Sequence, residues 1–236
     1  MSADLIDDDA LASSSVVANC AMNRGRQLAG VNSYGRALGF QPLDWLRTRM
    51  VAGDGGPGTV LVGWLDLCCG TGLALVQAAD QLRDEGLLDQ VALMGVDLVD
   101  AFAASPAGTG PDLIAASVTD WTPPGRFDLI TCVHGLHYVG DKLAVIGRAA
   151  AALTDNGLFI ADFDAGSIRR RDGQPMGRPL VSALRSAGFV YDARRHRLRR
   201  LGGGDIRLPF AYMGADDRAG PNYTNQPAVH SYYETA

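Results

Sequence analysis

Apolar positions recur at helical spacing between Val16 and about Val51, at Val17, Cys20 and Ala21 and again at Leu38, Leu43, Trp45, Leu46 and Met50, which predicts helices there. The run Gly53-Asp54-Gly55-Gly56-Pro57-Gly58 breaks that pattern and reads as a linker. Beyond it, short apolar runs alternate with helical stretches. Strands are expected at Val60–Leu67, Val91–Asp97, Leu113–Ser117, Phe127–Val133 and Leu158–Phe163. Helices are expected from about Leu73 to Glu85, over Lys142–Leu153, and over Arg178–Ala187 with Gly188 as its cap. This alternation argues a parallel, doubly wound sheet with helices on both faces. Pro123-Pro124-Gly125 and Asp155-Asn156-Gly157 mark turns, and Gly202-Gly203-Gly204 is expected to join two last strands near Phe189–Leu201 and Ile206–Met213. The pattern is weakest at the ends. Residues 1–15 are acidic and Ser-rich and are expected to be disordered. Asp217 to Ala236 holds Tyr223, Tyr232 and Tyr233, more aromatics than a disordered tail carries, and is expected to be an ordered flap.

Chemistry concentrates where the first two strands end. Trp64-Leu65-Asp66-Leu67 runs into Cys68-Cys69-Gly70-Thr71-Gly72, a Gly-rich turn that opens a helix and offers free backbone N–H groups to a ligand. An acid just before the glycines would repel a pyrophosphate, so a cationic nucleoside suits this corner better. The second run, Val91-Ala92-Leu93-Met94-Gly95-Val96-Asp97, ends on an acid able to accept hydrogen bonds from two ribose hydroxyls. A lone Gly-rich loop would be weak evidence; the ordered series of motifs is stronger.

From about Val60 to Met213 the chain resembles the class I S-adenosylmethionine-dependent methyltransferases, and its Asp-Leu-Cys-Cys-Gly-Thr-Gly turn is similar to that of the ubiquinone/menaquinone-type, small-molecule branch. Cys68 stands where the commoner form of the motif has its first Gly. The resemblance implies an α/β, Rossmann-like seven-stranded sheet of order 3-2-1-4-5-7-6 with strand 7 antiparallel, under an N-terminal helical cap. It implies domains at 1–55 (start and cap), 56–215 (catalytic core) and 216–236 (tail, a possible active-site flap). S-adenosylmethionine is the implied cofactor, S-adenosylhomocysteine the product, and no metal is called for.

On that resemblance, Asp66, Cys68, Cys69, Gly70, Thr71 and Gly72 hold the methionine part of the cofactor and Asp97 the ribose, while Leu98 lies against the adenine with Val99. Ser117, with Val118 after it, stands where relatives place an acid toward the adenine amino group. Strand four delivers Val133-His134-Gly135-Leu136-His137-Tyr138, and the carboxyl ends of such strands are where ligands meet. His134 is the first choice for a group facing the substrate, as base and contact; His137 is a second candidate base, or a cap of the helix start. Alignment of nucleophile and methyl group can itself supply much of the rate, without a base. Tyr138 is expected against the substrate, Tyr34 against the cofactor carboxylate, and Arg24 (with Arg26) against an acidic substrate group.

Composition sharpens this only in places. At 236 residues and 47 % apolar content the chain can build one sizeable core, and no apolar run reaches the ~18 residues of a membrane span. Cys20, Cys68, Cys69 and Cys132 follow no disulfide or zinc spacing, which suits a cytoplasmic location. Cys132, within a strand, reads as structural more readily than as a nucleophile. Charge is uneven: residues 1–165 hold 20 acids and 9 bases, residues 166–236 hold 6 acids and 12 Arg, net −11 and +6 within the total of −5. Arg outnumbers Lys twenty to one, a compositional bias that discounts any single Arg. The run Arg194-Arg195-His196-Arg197-Leu198-Arg199-Arg200 therefore reads first as a solvated edge strand and second as a polyanion surface.

The expected function is methyl transfer, by in-line displacement, to an O or N (less often C) atom of a small molecule in secondary (natural-product) or quinone-like metabolism. The enzyme is expected as monomer or homodimer, with neither nucleic acid nor membrane as partner. Two rivals stand beside it: an RNA or peptide methyltransferase docking through the Arg-rich hairpin, and a cyclase or binding module that keeps the cofactor without methylating.

Overall fold

The computed structural model describes residues 4–18, 25–50, 62–105 and 110–235. Five parallel strands form the centre of a seven-stranded sheet: β1 (Val62–Leu67), β2 (Val91–Asp97), β3 (Asp112–Ala115), β4 (Phe127–Cys132) and β5 (Leu153–Asp162). With β7 (Phe189–Asp192) and β8 (Arg197–Leu201) the order is β3-β2-β1-β4-β5-β8-β7, and β8 runs antiparallel to both its neighbours. This is the expected topology. Its central strands are largely apolar because helices cover both faces; every residue of β1 is buried.

Alternation along β1 distributes the core. Trp64 packs on the face covered by α4 (Pro42–Met50) and α5 (Leu73–Asp84), through Leu43, Leu46, Leu75 and Leu82. Leu65 packs on the face covered by α6 (Lys142–Ala151) and α7 (Arg178–Ser186), through Leu143, Ile146, Leu180 and Leu184.

Several expectations are corrected. The last two strands of the sheet both lie within 189–201, as a hairpin whose turn spans 193–196 rather than Gly202-Gly203-Gly204. Asp192 accepts hydrogen bonds from the N–H groups of Arg194 and Arg195, each at 3.0 Å, and His196 takes the left-handed conformation, φ 49°. The strand expected near Ile206–Met213 is β9 (Phe210–Asp216), and it belongs to a second sheet, β6-β10-β9, with β6 (Ile168–Arg170) and β10 (His230–Thr235). The link after strand five supplies a strand of its own, β6. The helical pattern of Val16–Val51 is interrupted: between α2 (Ser15–Ala18) and α3 (Tyr34–Leu38) the described residues turn, with Gln27 bridging Ser33.

The start of the chain is not disordered over the described residues. Asp7 caps α1 (Asp8–Ala12) by accepting from the Ala10 N–H at 2.8 Å. Ile6 bridges Ala215 of β9, the Tyr212 hydroxyl donates to Asp8 at 2.8 Å, and Leu11 and Val17 pack with Ala215 and Val229. The tail, in turn, is held by the chain's single lysine. Buried Lys142 donates from Nζ to Val139 O (2.9 Å), Val229 O (2.9 Å) and Ser231 Oγ (2.7 Å). Each ammonium proton thus has an acceptor, which a planar guanidinium could not reproduce in that space. Both termini are therefore tied to the second sheet beside the carboxyl ends of the central strands.

Candidate active site

A cavity of about 770 Å³ opens at those carboxyl ends. Its floor is the turn after β1, where Cys68 and Gly70 face it. Cys68 has φ 56°, in the left-handed region that favours glycine, so it occupies a conformation glycine would take freely. Asp97, at the tip of β2, accepts from the Gly70 N–H at 2.8 Å and from the Val99 N–H at 3.1 Å, one on each carboxylate oxygen. Those bonds fix the carboxylate at the cavity wall. Leu98, Val99 and Val118 form apolar walls, with Ser117 and Thr119 between them. Ser117 and Thr119 share a 2.6 Å hydrogen bond.

The far wall comes from the turn after β4. Val133, His134 and Gly135 line it, and Tyr138, Val139 and Gly140 continue it. His134 is a non-glycine residue at φ 61°, a conformation that costs about 1–3 kcal/mol and marks functional sites. Gly135 is required beside it, because a Cβ there would clash with the Cys68 side chain. Asp162, at the end of β5, accepts from the His134 N–H at 3.2 Å and lies 3.6 Å from its Nε2. Burial lowers the imidazole below its ordinary pKa, with the Asp162 charge opposing; burial likewise raises Asp162, with His134 opposing. Burial thus favours the neutral ring, with Asp162 beside any positive form it takes. Asp162 was not foreseen, since only strand pairing between β4 and β5 brings it there.

The roof is α1 and α2, through Asp8, Leu11, Ala12 and Val17. These residues were missed too, although Asp7 followed by acids and then Ala10-Leu11-Ala12 is a helix-start signature. Asp8, half-buried, has its pKa raised chiefly by burial. No Arg or Lys stands among the described residues that line this cavity, while two acids do.

Other expected site residues lie elsewhere. Asp66 is buried behind the cavity and does not line it. Thr131 Oγ1 donates to its Oδ1 at 2.6 Å, Trp64 Nε1 donates to Thr131 at 2.8 Å, and the Tyr34 hydroxyl donates to Asp66 Oδ2. Burial pushes the Asp66 carboxyl up to about 7, against those hydrogen bonds. Tyr34 is thereby a buried latch between the helical cap and β1, not a cavity residue. Cys69 and Thr71 face away from the cavity, and Gly72 caps α5 at φ 67°. Cys132 is buried within β4. Arg24 and Cys20 lie outside the described residues.

His137 is also displaced. It is buried on the other side of the turn, its pKa lowered to about 3 chiefly by burial, and its ring centroid is 5.9 Å from that of His134. Three arginines of the Arg-rich run have partners within the chain. Arg195 pairs with Asp192 at 3.0 Å, Arg197 donates to Leu38 O at 2.8 Å and to Ala37 O, and Arg200 donates to Gly202 O at 3.0 Å and to Ala187 O.

The model of the methyltransferase-domain family matches residues 43–201, more than half of the chain. A search of curated proteins found no match. Among solved structures, the chain is similar to the plantazolicin methyltransferase in complex with a monoazolic desmethyl analogue and S-adenosylhomocysteine (16 % identity, 42 % of this chain and 38 % of that one, TM-score 0.37). It is similar to a sugar N-methyltransferase from Streptoalloteichus sp (23 % identity, 50 % and 46 % covered, TM-score 0.35). It is also similar to the O-methyltransferase of a polyketide-synthase multienzyme of Brevibacillus brevis (15 % identity, 58 % and 41 % covered, TM-score 0.38). The chain spans less than half the length of each of these three.

Proposed function

The chain belongs to the methyltransferase-domain family, as a class I S-adenosylmethionine-dependent enzyme, and from that premise we propose that it methylates an O or N atom of a small-molecule acceptor beside His134. The observation that carries the reading is the cavity itself. It joins an anchored acid (Asp97), flat apolar walls (Leu98, Val99 and Val118) and a glycine turn, and its described lining includes no Arg or Lys to welcome a phosphate. That donor set fits a nucleoside carrying positive charge and no phosphate.

When bound, S-adenosylmethionine supplies a methyl group on a sulfonium centre. The chain's own residues do the rest. Asp97 holds the ribose hydroxyls, Leu98, Val99 and Val118 sandwich the base, and Ser117 offers a hydroxyl at its edge. The turn at Cys68 and Gly70 receives the methionine end. His134, its neutral form favoured by burial, accepts the acceptor's proton, and Asp162 stabilises the imidazolium that forms. Leu11 and Val17, held on the second sheet, exclude water from above. The reading includes a role in natural-product chemistry and a monomeric or dimeric enzyme. An RNA or peptide acceptor is a weaker reading, because three of the five arginines in the basic run are committed to internal partners.

The test is a labelled-methyl assay over a panel of phenols, amines and carboxylic acids. Turnover is expected, with His134→Gln lowering kcat about 100-fold while leaving S-adenosylhomocysteine affinity within about threefold. Tight cofactor binding with no methylated product from any acceptor would instead support the cyclase or binding-module reading.

A further inference from the structure

A second cavity, of about 530 Å³, lies across His137 from the first. Its walls come from the turn before β6, from β6 itself and from the tail between β9 and β10. Pro175, Pro221 and Ala228 make it apolar on one side, and the rings of His137 and Tyr223 meet edge to face there, 5.4 Å between centroids. Tyr223 is itself clamped, stacked on His196 at 3.8 Å.

The polar side holds hydrogen-bonding groups without partners. Asn222 Oδ1 accepts from Thr224 N (2.8 Å), Thr224 Oγ1 (2.6 Å) and Gln226 N (3.3 Å). Three donors on one atom identify it as the oxygen and fix the amide, so Nδ2 points the other way. That Nδ2 is buried and has no partner among the described residues. The same holds for Arg169 Nε and for His137 Nε2. Two of these three atoms are obligate donors. Arg169 shares its Nη2 with His230 Nε2 at 3.3 Å and has no carboxylate within ion-pair distance among the described residues. The acid on this wall, Asp164, spends Oδ1 on the Gly166 N–H at 2.9 Å and lies 3.8 Å from His196. A buried Arg169 Nε–H and a fixed Asn222 amide donor, each lacking an acceptor, cost stability unless something supplies one.

We propose that this cavity binds the carboxylate of a planar, aromatic acceptor molecule, with Arg169 and Asn222 donating to the carboxylate oxygens and Tyr223 and His137 packing against the ring. The assignment to the acceptor rests on the methyltransferase reading; the carboxylate site itself does not. His137, which lines this cavity, has its ring centroid 5.9 Å from that of His134, which lines the first, so the two cavities are neighbours. Burial and the Arg169 charge lower His230 to about 4, and burial lowers His137, so both rings are neutral near pH 7 and reach the ligand as hydrogen-bonding groups.

The test uses benzoate as probe and ¹⁵N-histidine NMR as readout, with no cofactor present. Saturable shifts of the His137 and His230 ring signals are expected in the wild type. Affinity should weaken at least tenfold in Asn222→Ala and in Arg169→Gln, and neutral benzamide should bind at least tenfold more weakly than benzoate. Asn222 lies in the tail turn outside both sheets, so its variant reports the site even if Arg169→Gln disturbs β6. Absence of saturable shifts, wild-type affinity retained in both variants, or benzamide binding as tightly as benzoate would overturn the site. In the methyl-transfer assay benzoate should raise the KM of an acceptor and leave kcat unchanged. A fall in kcat at constant KM would overturn the assignment to the acceptor while leaving the carboxylate site intact.

Discussion

Asp66 and Asp97 are the same residue type on neighbouring strands, on the same face of the sheet, and they have opposite fates. Strand register explains the difference. Asp66 pairs with Gly95, two residues short of Asp97, which at about 3.3 Å per residue places it roughly 7 Å deeper. At that depth it is buried away from the cavity, and Thr131 on β4 and Tyr34 of the cap each donate to one of its oxygens. Asp97, one step beyond the end of β1, is held by two backbone N–H groups and lines the cavity. One acid is a buried pillar; the other is the one we propose for the ribose. A motif marks both alike; depth along the strand separates them.

The largest effect that sharpens this contrast is on cofactor affinity. Asp97→Ala should weaken S-adenosylhomocysteine binding at least 100-fold by calorimetry, while Asp66→Asn should leave it within about threefold. Equal losses in the two variants would break the contrast. Stability should show the reverse order. Asp66→Ala strands the Tyr34 and Thr131 hydroxyls and should cost about 1–3 kcal/mol in chemical unfolding, while Asp97→Ala should cost less than about 0.5 kcal/mol.

The pH dependence follows from the same burial. The Asp66 carboxyl is raised to about 7 from 3.8, so the folded state binds its proton more tightly than the unfolded one. Its contribution is therefore fully present below about pH 4 and is lost as pH rises to about 7. Thermal melts of the wild type across that window should show a decline that Asp66→Asn lacks. The smallest effect concerns the turn itself. Cys68→Gly relieves a left-handed residue and should raise stability by up to about 1 kcal/mol, with cofactor affinity unchanged. A loss of stability would mean that the Cys68 side chain packs to better effect than its backbone strain costs.

Much of this was legible in the chain. The five central strands followed from apolar runs separated by helical stretches, because a sheet covered on both faces writes itself as continuous hydrophobic segments, and the order of the sheet followed from the family resemblance. Cys68, Gly70, Asp97, Leu98, Ser117, Val118, Val133, His134 and Tyr138, named from the motifs and the resemblance, line one cavity. What failed to show depends on pairing between distant segments. Asp66 was misplaced because register decides depth, and Tyr34 because its partner is 32 residues away. The final hairpin was missed because its left-handed position is His196, where glycine would have announced a turn, and Gly202-Gly203-Gly204 offered a false one. The roof was missed because an acidic, Ser-rich start hides a five-residue helix that is stable only against β9 and β10.

The most direct test of the account is a crystal structure of the protein with S-adenosylhomocysteine. The account predicts the ribose hydroxyls on Asp97, the adenine between Leu98 and Val118, and the sulfur facing His134, with Asp66 still bonded to Tyr34 and Thr131. A ligand whose ribose lies away from Asp97, or whose methionine end displaces Tyr34 to reach Asp66, would contradict it.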